Sequence, residues 1–258
     1  MNTQNKWRVM QLIRSLDVSG AEKYGLELAR ALPKDEFDVT LCAFFRFHTQ
    51  TEKYWGEKLS EDNINVLTFA DGDPARRRKN YIYGAWKLQK YLRAHPVDII
   101  HSHFSMGTVM GLIYRNAGFS QYVVRTAHGL SQYEWSPLWY SNPWRKFLFR
   151  WVYPIGLDIE TGVSEAIIKE LQLPPRVNRS VRLPVLIHNG ISEEFIQTSY
   201  PSFKTFGSSG LWKIGSIGRL STQKGYMYLI QAMPLLLTCL TNLRLEIIGE
   251  GELKATLM

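Results

Sequence analysis

Cysteine is scarce in this chain, with two in 258 residues. Neither Cys-x-x-Cys nor His-Glu-x-x-His occurs, so no zinc-site spacing is present. Cys42 and Cys239 both lie in apolar segments and are expected to be buried, reduced thiols, as in a cytoplasmic protein. No stretch approaches the ~20 apolar residues of a spanning helix. The N-terminal Met1–Lys6 has no apolar signal core. Work at a membrane would therefore be done from its surface, and the expected location is cytoplasmic, peripheral on the inner face. The dinucleotide fingerprint G-x-G-x-x-G is missing, since Gly20 and Gly25 are the only glycines near the first strand. No nucleic-acid recognition module is visible, and nucleic acid is not an expected partner. What remains is 45% hydrophobic and 21% charged residues with a net charge of +8: a globular composition with a basic surface suited to acidic partners.

Strand-like apolar runs alternate with amphipathic stretches. The expected strands are 9–14, 37–45, 65–69, 98–103, 122–126, 159–163 and 185–188; the expected helices are 21–32, 78–94, 106–116, 143–153 and 165–171. Runs such as Val97-Asp98-Ile99-Ile100 suit strands covered on both faces, so the pattern predicts an α/β fold with a doubly wound parallel sheet. Residues 191–210, ending in Gly207-Ser208-Ser209-Gly210, read as a linker. Beyond them the pattern restarts, with strand 212–217, helix 224–237 and strand 244–248. The expected organisation is a first domain over 1–190, a linker over 191–210 and a partial second domain over 211–258.

Four segments carry candidate chemistry. In Leu16-Asp17-Val18-Ser19-Gly20-Ala21-Glu22, Gly20 lets a ligand approach the backbone where a helix N-terminus favours negative charge. His128, in Thr126-Ala127-His128-Gly129, follows a strand end, where open α/β sheets bind ligands, and is placed to donate to a hydroxyl or a phosphate. His101 and His103 sit at another strand end. In Lys213–Gly225 a strand, a glycine turn and a helix start bring Arg219 and Lys224 to one spot, as a diphosphate site requires. Both cations stay protonated, so they would stabilise a departing diphosphate rather than act as bases. The stretch Trp135–Trp151 interleaves aromatics with Arg145, Lys146 and Arg150. It fits either a helix packed on the sheet or contact with an anionic membrane surface. The cluster Arg76-Arg77-Arg78-Lys79 is expected in a loop.

Together, Ser19–Glu22, Thr126–Gly129, Val163-Ser164-Glu165-Ala166, the Gly218-Arg219…Lys224-Gly225 turn and Ile247–Gly251 resemble the retaining, nucleotide-sugar-dependent glycosyltransferases of GT-B fold, the glycosyl transferase group 1 or family 4 type. The resemblance implies a complete N-terminal Rossmann-like domain and the first β–α–β of a second. It implies transfer of a hexose from a nucleotide-sugar to a glycan or lipid-linked acceptor in surface polysaccharide or glycolipid biosynthesis. Gly20, Arg219 and Lys224 would bind the donor diphosphate, His128 would be the catalytic-site residue, and no metal or other cofactor would be needed. Two departures stand out. Ser19 replaces a common second glycine, and no two glutamates lie eight positions apart, as the family's donor-binding pair does. The resemblance thus implies a C-terminally truncated chain with a loosely held region after about Gly207. A GT-B nucleotide-sugar epimerase or phosphorylase, or an inactive basic fragment that binds membranes or polyanions, are the alternative readings.

Overall fold

The structure is a computed structural model and describes residues 6–17, 20–129, 143–172, 182–191, 196 and 210–257. It contains two compact units, residues 1–196 and 197–258.

The first unit is built on β1 (Trp7–Ser15), whose Val-Met-Gln-Leu-Ile centre is buried on both sides. It pairs in parallel with β2 (Phe37–Arg46) on one edge and β5 (Ile99–Ser102) on the other. Outward from β2 come β3 (Asn65–Leu67) and β4 (Ala70–Asp71). Outward from β5 come β6 (Tyr122–Ala127), β7 (Ile159–Gly162) and β8 (Val185–Leu186). The order β3-β2-β1-β5-β6-β7-β8 reverses direction between β1 and β5, the switch point at which open sheets bind ligands beyond their carboxyl ends.

Side-chain alternation along β1 divides the core. Met10 and Leu12 face α3 (Arg77–Ala94) and α4 (Ser105–Asn116) through Leu88, Leu92 and Met110. Ile13 faces the opposite layer, α1 (Gly20–Ala31) and α2 (Gln50–Glu61), through Leu26, Trp55 and Leu59. Just before β5, Asp98 accepts from the Arg8 backbone N–H and guanidinium. That hydrogen bond holds its carboxyl below the usual range and ties the two central strands together.

Several expectations are corrected. Helix α2 was not expected, although Thr49-Gln50-Thr51-Glu52 has capping-box spacing. Thr49 Oγ1 accepts from Glu52 N, and Glu52 Oε2 reaches back to the N–H groups of Phe47 and His48. The basic cluster expected in a loop instead lies in a 3₁₀ turn (Pro74–Arg76) and the first turn of α3. Asp73 Oδ1, accepting from Ala75 N, feeds the chain into that turn. The helix expected over 143–153 is α5 (Pro143–Phe147), a π-turn (Leu148–Val152) and α6 (Tyr153–Gly156). The front of the tryptophan-rich stretch, residues 135–142, lies outside the described residues. Ser164 caps α7 (Glu165–Leu171) as Val163–Ala166 predicts. Cys42 is fully buried, and burial raises its thiol pKa; Cys239 is exposed, contrary to expectation, because it ends a helix on its open side.

In the second unit, β9 (Trp212–Ile217) pairs in parallel with β10 (Leu243–Ile248). Between them lies α8 (Tyr226–Cys239), and α9 (Lys254–Leu257) follows. Helix α8 starts two residues later than the sequence pattern suggests, because Gly225 adopts a left-handed conformation (φ +68°) after a 3₁₀ turn (Thr222–Lys224). Leu235–Leu237 are exposed, whereas Leu229 and Ile230 are half-buried.

Candidate functional site

In the first unit, parallel register brings Gln11 of β1 beside His101 of β5, and Ser102 beside Arg125 of β6. His101, near the end of β5, and His103, just past it, therefore project to the α1 side, as Gln11 does. There a polar group is assembled within otherwise apolar strands. His103 Nε2 lies 2.9 Å from Gln11 Oε1, and His103 Nδ1 lies 3.1 Å from His128 Nε2. His101 Nε2 meets Thr126 Oγ1 at 2.8 Å, which meets Thr161 Oγ1 at 2.8 Å. Tyr24 sets its ring edge-on to both His103 and His128, with centroids 5.7 and 5.2 Å away. Helix α1 can approach this closely because Gly25 has no side chain: a Cβ there would stand 2.6 Å from Ile13 Cγ2 and 2.9 Å from His103 Cδ2.

All three imidazoles are neutral at pH 7. Burial lowers His101 to about 3, helped by His128, and lowers His128 to about 4, helped by the Arg125 cation. His103, the most enclosed, is held well below the ordinary value by burial and by its two histidine neighbours. Arg125 is paired with Glu160 and lies over the Tyr153 ring. The site thus offers fixed hydrogen-bonding groups without a net charge of its own on the imidazoles. Gly20 opens α1 and is exposed. A Cβ at Gly20 would touch nothing in the protein, so its bareness is not demanded by packing.

In the second unit, β9 runs into Gly218-Arg219, and β10 into Gly249-Glu250-Gly251. The two turns are laced by Gly218 N to Ile248 O and Leu220 N to Glu250 O. A Cβ on Gly249 would overlap the Gly218 carbonyl, and one on Gly218 would press on the Tyr226 hydroxyl. These glycines let the turns lie together. Arg219 Nη2 pairs with Glu252 at 3.2 Å, and both side chains are exposed. Lys224 ends the 3₁₀ turn, exposed and without an ion pair among the described residues.

Of the residues singled out in the sequence, His101, His103 and His128 come together in one group, while Arg219 follows β9 and Lys224 ends the next 3₁₀ turn of the other unit. Sequence reading missed Gln11, Tyr24 and Thr161. Gln11 had a signal: it is the one polar residue in Val-Met-Gln-Leu-Ile, and a buried amide must find a partner. No group of three or more His, Cys, Asp or Glu side chains able to hold a metal occurs among the described residues.

No curated protein sequence matches the chain. Among solved structures, a mutant of S. aureus TarM in complex with fondaparinux, alpha-GlcNAc-glycerol and UDP aligns over 98% of this chain and 74% of its own. Its TM-score is 0.66 at 9% identity. A glycosyltransferase from Rickettsia africae aligns over 95% and 69% (TM-score 0.57, 14% identity). The lipopolysaccharide outer core galactosyltransferase WaaB aligns over 97% and 62% (TM-score 0.53, 11% identity). At such identities the likeness establishes the fold, which is GT-B. The family model for Glycosyltransferase Family 4 matches residues 18–195, more than half of the sequence, and the chain belongs to that family of transferases.

Proposed function

We propose that the protein moves a hexose from a nucleotide-sugar to a glycan or lipid-linked acceptor, with retained anomeric configuration, in the making of surface polysaccharide or glycolipid. The observation that carries this reading is the neutral histidine group at the carboxyl ends of β5 and β6, in the layer of α1, which Gly20 opens. Neutral imidazoles can hold a polyhydroxylated ligand by directed hydrogen bonds without demanding an anion. Gly20 would lie against the donor diphosphate, and His128 would touch the transferred sugar. Lys224, and Arg219 through the donors it does not give to Glu252, would stabilise the diphosphate as it leaves. Such a site needs no metal to neutralise the leaving group. Product analysis tests the reading. Incubation with a nucleotide-sugar and acceptor should give a glycosylated product with the donor's anomeric configuration; an altered free nucleotide-sugar made without acceptor would support the epimerase instead.

A second observation supports an acceptor met at a membrane surface. The α3–α4–α5–α6 layer exposes Ile82, Tyr83, Trp86, Met106, Ile113, Trp144 and Phe147, whereas the opposite layer exposes Tyr54 alone among its large apolar or aromatic side chains, counting described residues. Helix α3 contains no acidic residue in its 18 positions. No described helix is long and apolar enough to cross a membrane. The layer suits the inner face of an anionic membrane, where aromatic rings sit at headgroup depth and lysines meet phosphate. It widens the expected contact at Trp135–Trp151 to include α3.

A further inference from the structure

His103 sits in the middle of a hydrogen-bond chain whose direction is fixed at the inner end. Gln11, 1% exposed on the central strand, presents its carbonyl oxygen to His103 Nε2. A carbonyl only accepts, so His103 Nε2 carries the proton. A neutral imidazole has one N–H, so His103 Nδ1 is a lone pair. That lone pair faces His128 Nε2 at 3.1 Å, which must then be the donor. The single proton of a neutral His128 is thereby spent on its inner nitrogen. Its other nitrogen, Nδ1, has no hydrogen-bond partner among the described residues. Nor can the chain rearrange easily. Gly25 and Tyr24 press on the His103 ring from α1, and the His101 ring lies 4.4 Å away, centroid to centroid.

We propose that Gln11 is a positioning residue: acting through His103, it holds His128 in the Nε2–H tautomer and leaves His128 Nδ1 as an acceptor for a hydroxyl of the transferred sugar. The identity of the ligand rests on the transfer reading above; the tautomer does not. The sequence position alone let His128 donate to a hydroxyl or a phosphate. The hydrogen-bond chain removes the donor role. An ionised phosphate oxygen has nothing to offer a lone pair, whereas a sugar hydroxyl can donate to it. His128 then reads the sugar rather than the diphosphate. Reversing the Gln11 amide would reverse every proton in the chain, so one buried side chain, remote from the ligand, sets the polarity the ligand meets.

Long-range ¹H–¹⁵N correlation NMR of the whole chain, labelled at histidine and held near neutral pH, reads each ring nitrogen directly. The expected spectrum shows His103 and His128 both protonated at Nε2, with His128 Nδ1 of the unprotonated type. Gln11→Glu, whose carboxylate also only accepts, should keep the Nε2–H tautomers. Gln11→Met, similar in shape but without the acceptor, should move the His128 Nδ1 resonance toward the average of a mixed population. Inorganic phosphate added to the wild type should leave that resonance in place. A wild-type His128 protonated at Nδ1, an unmixed Nε2–H tautomer in folded Gln11→Met, or protonation of Nδ1 on adding phosphate would each overturn the proposal. The wild-type spectrum decides the tautomer even where Gln11→Met does not fold. A transfer assay can fail with these resonances intact, so the two readings fail separately.

Discussion

Three neutral histidines in a folded protein carry a stability consequence. Their pKa values are depressed from 6.5, His101 to about 3, His128 to about 4 and His103 well below, while the unfolded chain retains the ordinary value. Below pH 6.5 the unfolded state therefore binds more protons than the folded one. The stabilisation is complete above that pH and is lost as pH falls toward 4 and 3, by up to ~1.4 kcal/mol per pH unit for each histidine. Denaturant midpoints compared at about pH 7.5 and about pH 5 should show a marked drop, and His103→Gln should reduce it. Gly25→Ala is expected to cost about 1–3 kcal/mol, because its Cβ meets Ile13 and His103 at distances that force one of them to move. Chemical unfolding measures the loss, which a substitution at Gly20, where nothing stands nearby, should not reproduce. At this scale the sequence was partly legible. A lone glutamine in an apolar strand announces a buried partner, but only strand register reveals that the partner is His103, 92 positions away.

Among elements, periodicity located most strands and helices, since buried parallel strands and half-buried helices leave distinct apolar patterns. The failures have physical causes. Helix α2 buries Glu52, Trp55 and Leu59 on a short face, so its apolar periodicity is faint, and its capping box was the better signal. The basic cluster at 76–79, expected in a loop, puts cations at a helix N-terminus, where they are unfavourable; packing of Leu88 and Leu92 carries α3 regardless. That helix yields a prediction of its own. Tyr83 and Trp86 are stacked 5.9 Å apart on its exposed side, with the ammonium groups of Lys87 and Lys90 over their rings. Vesicles containing phosphatidylglycerol should sediment the protein, and added salt should release it. Substituting Lys87 and Lys90 together by Ala should weaken binding by roughly 2 kcal/mol, about thirty-fold. Equal binding to neutral vesicles would remove α3 from the membrane face.

At the scale of the whole molecule, the sheet order does the positioning. Reversal between β1 and β5 places Gln11, in mid-β1, beside the segment in which His103 follows β5, while His128 follows the neighbouring β6, and α1 adds Gly20 and Tyr24 to the same layer. The second unit independently repeats a strand, a glycine turn and a helix, with Arg219 just after the strand and Lys224 just before the helix. The α/β class and both turns could be read from the alternation of elements; the polarity of the histidine group could not, because it depends on which strands become neighbours. The proposed function assigns His128 to the transferred sugar and Lys224 to the donor diphosphate. The most direct test is kcat/KM for nucleoside diphosphate release from the donor the protein uses, in wild type, His128→Ala and Lys224→Ala. Losing either contact should lower kcat/KM by about 10²-fold, the scale on which transition-state hydrogen bonds and charges act. Rates for both variants equal to wild type would contradict the claim.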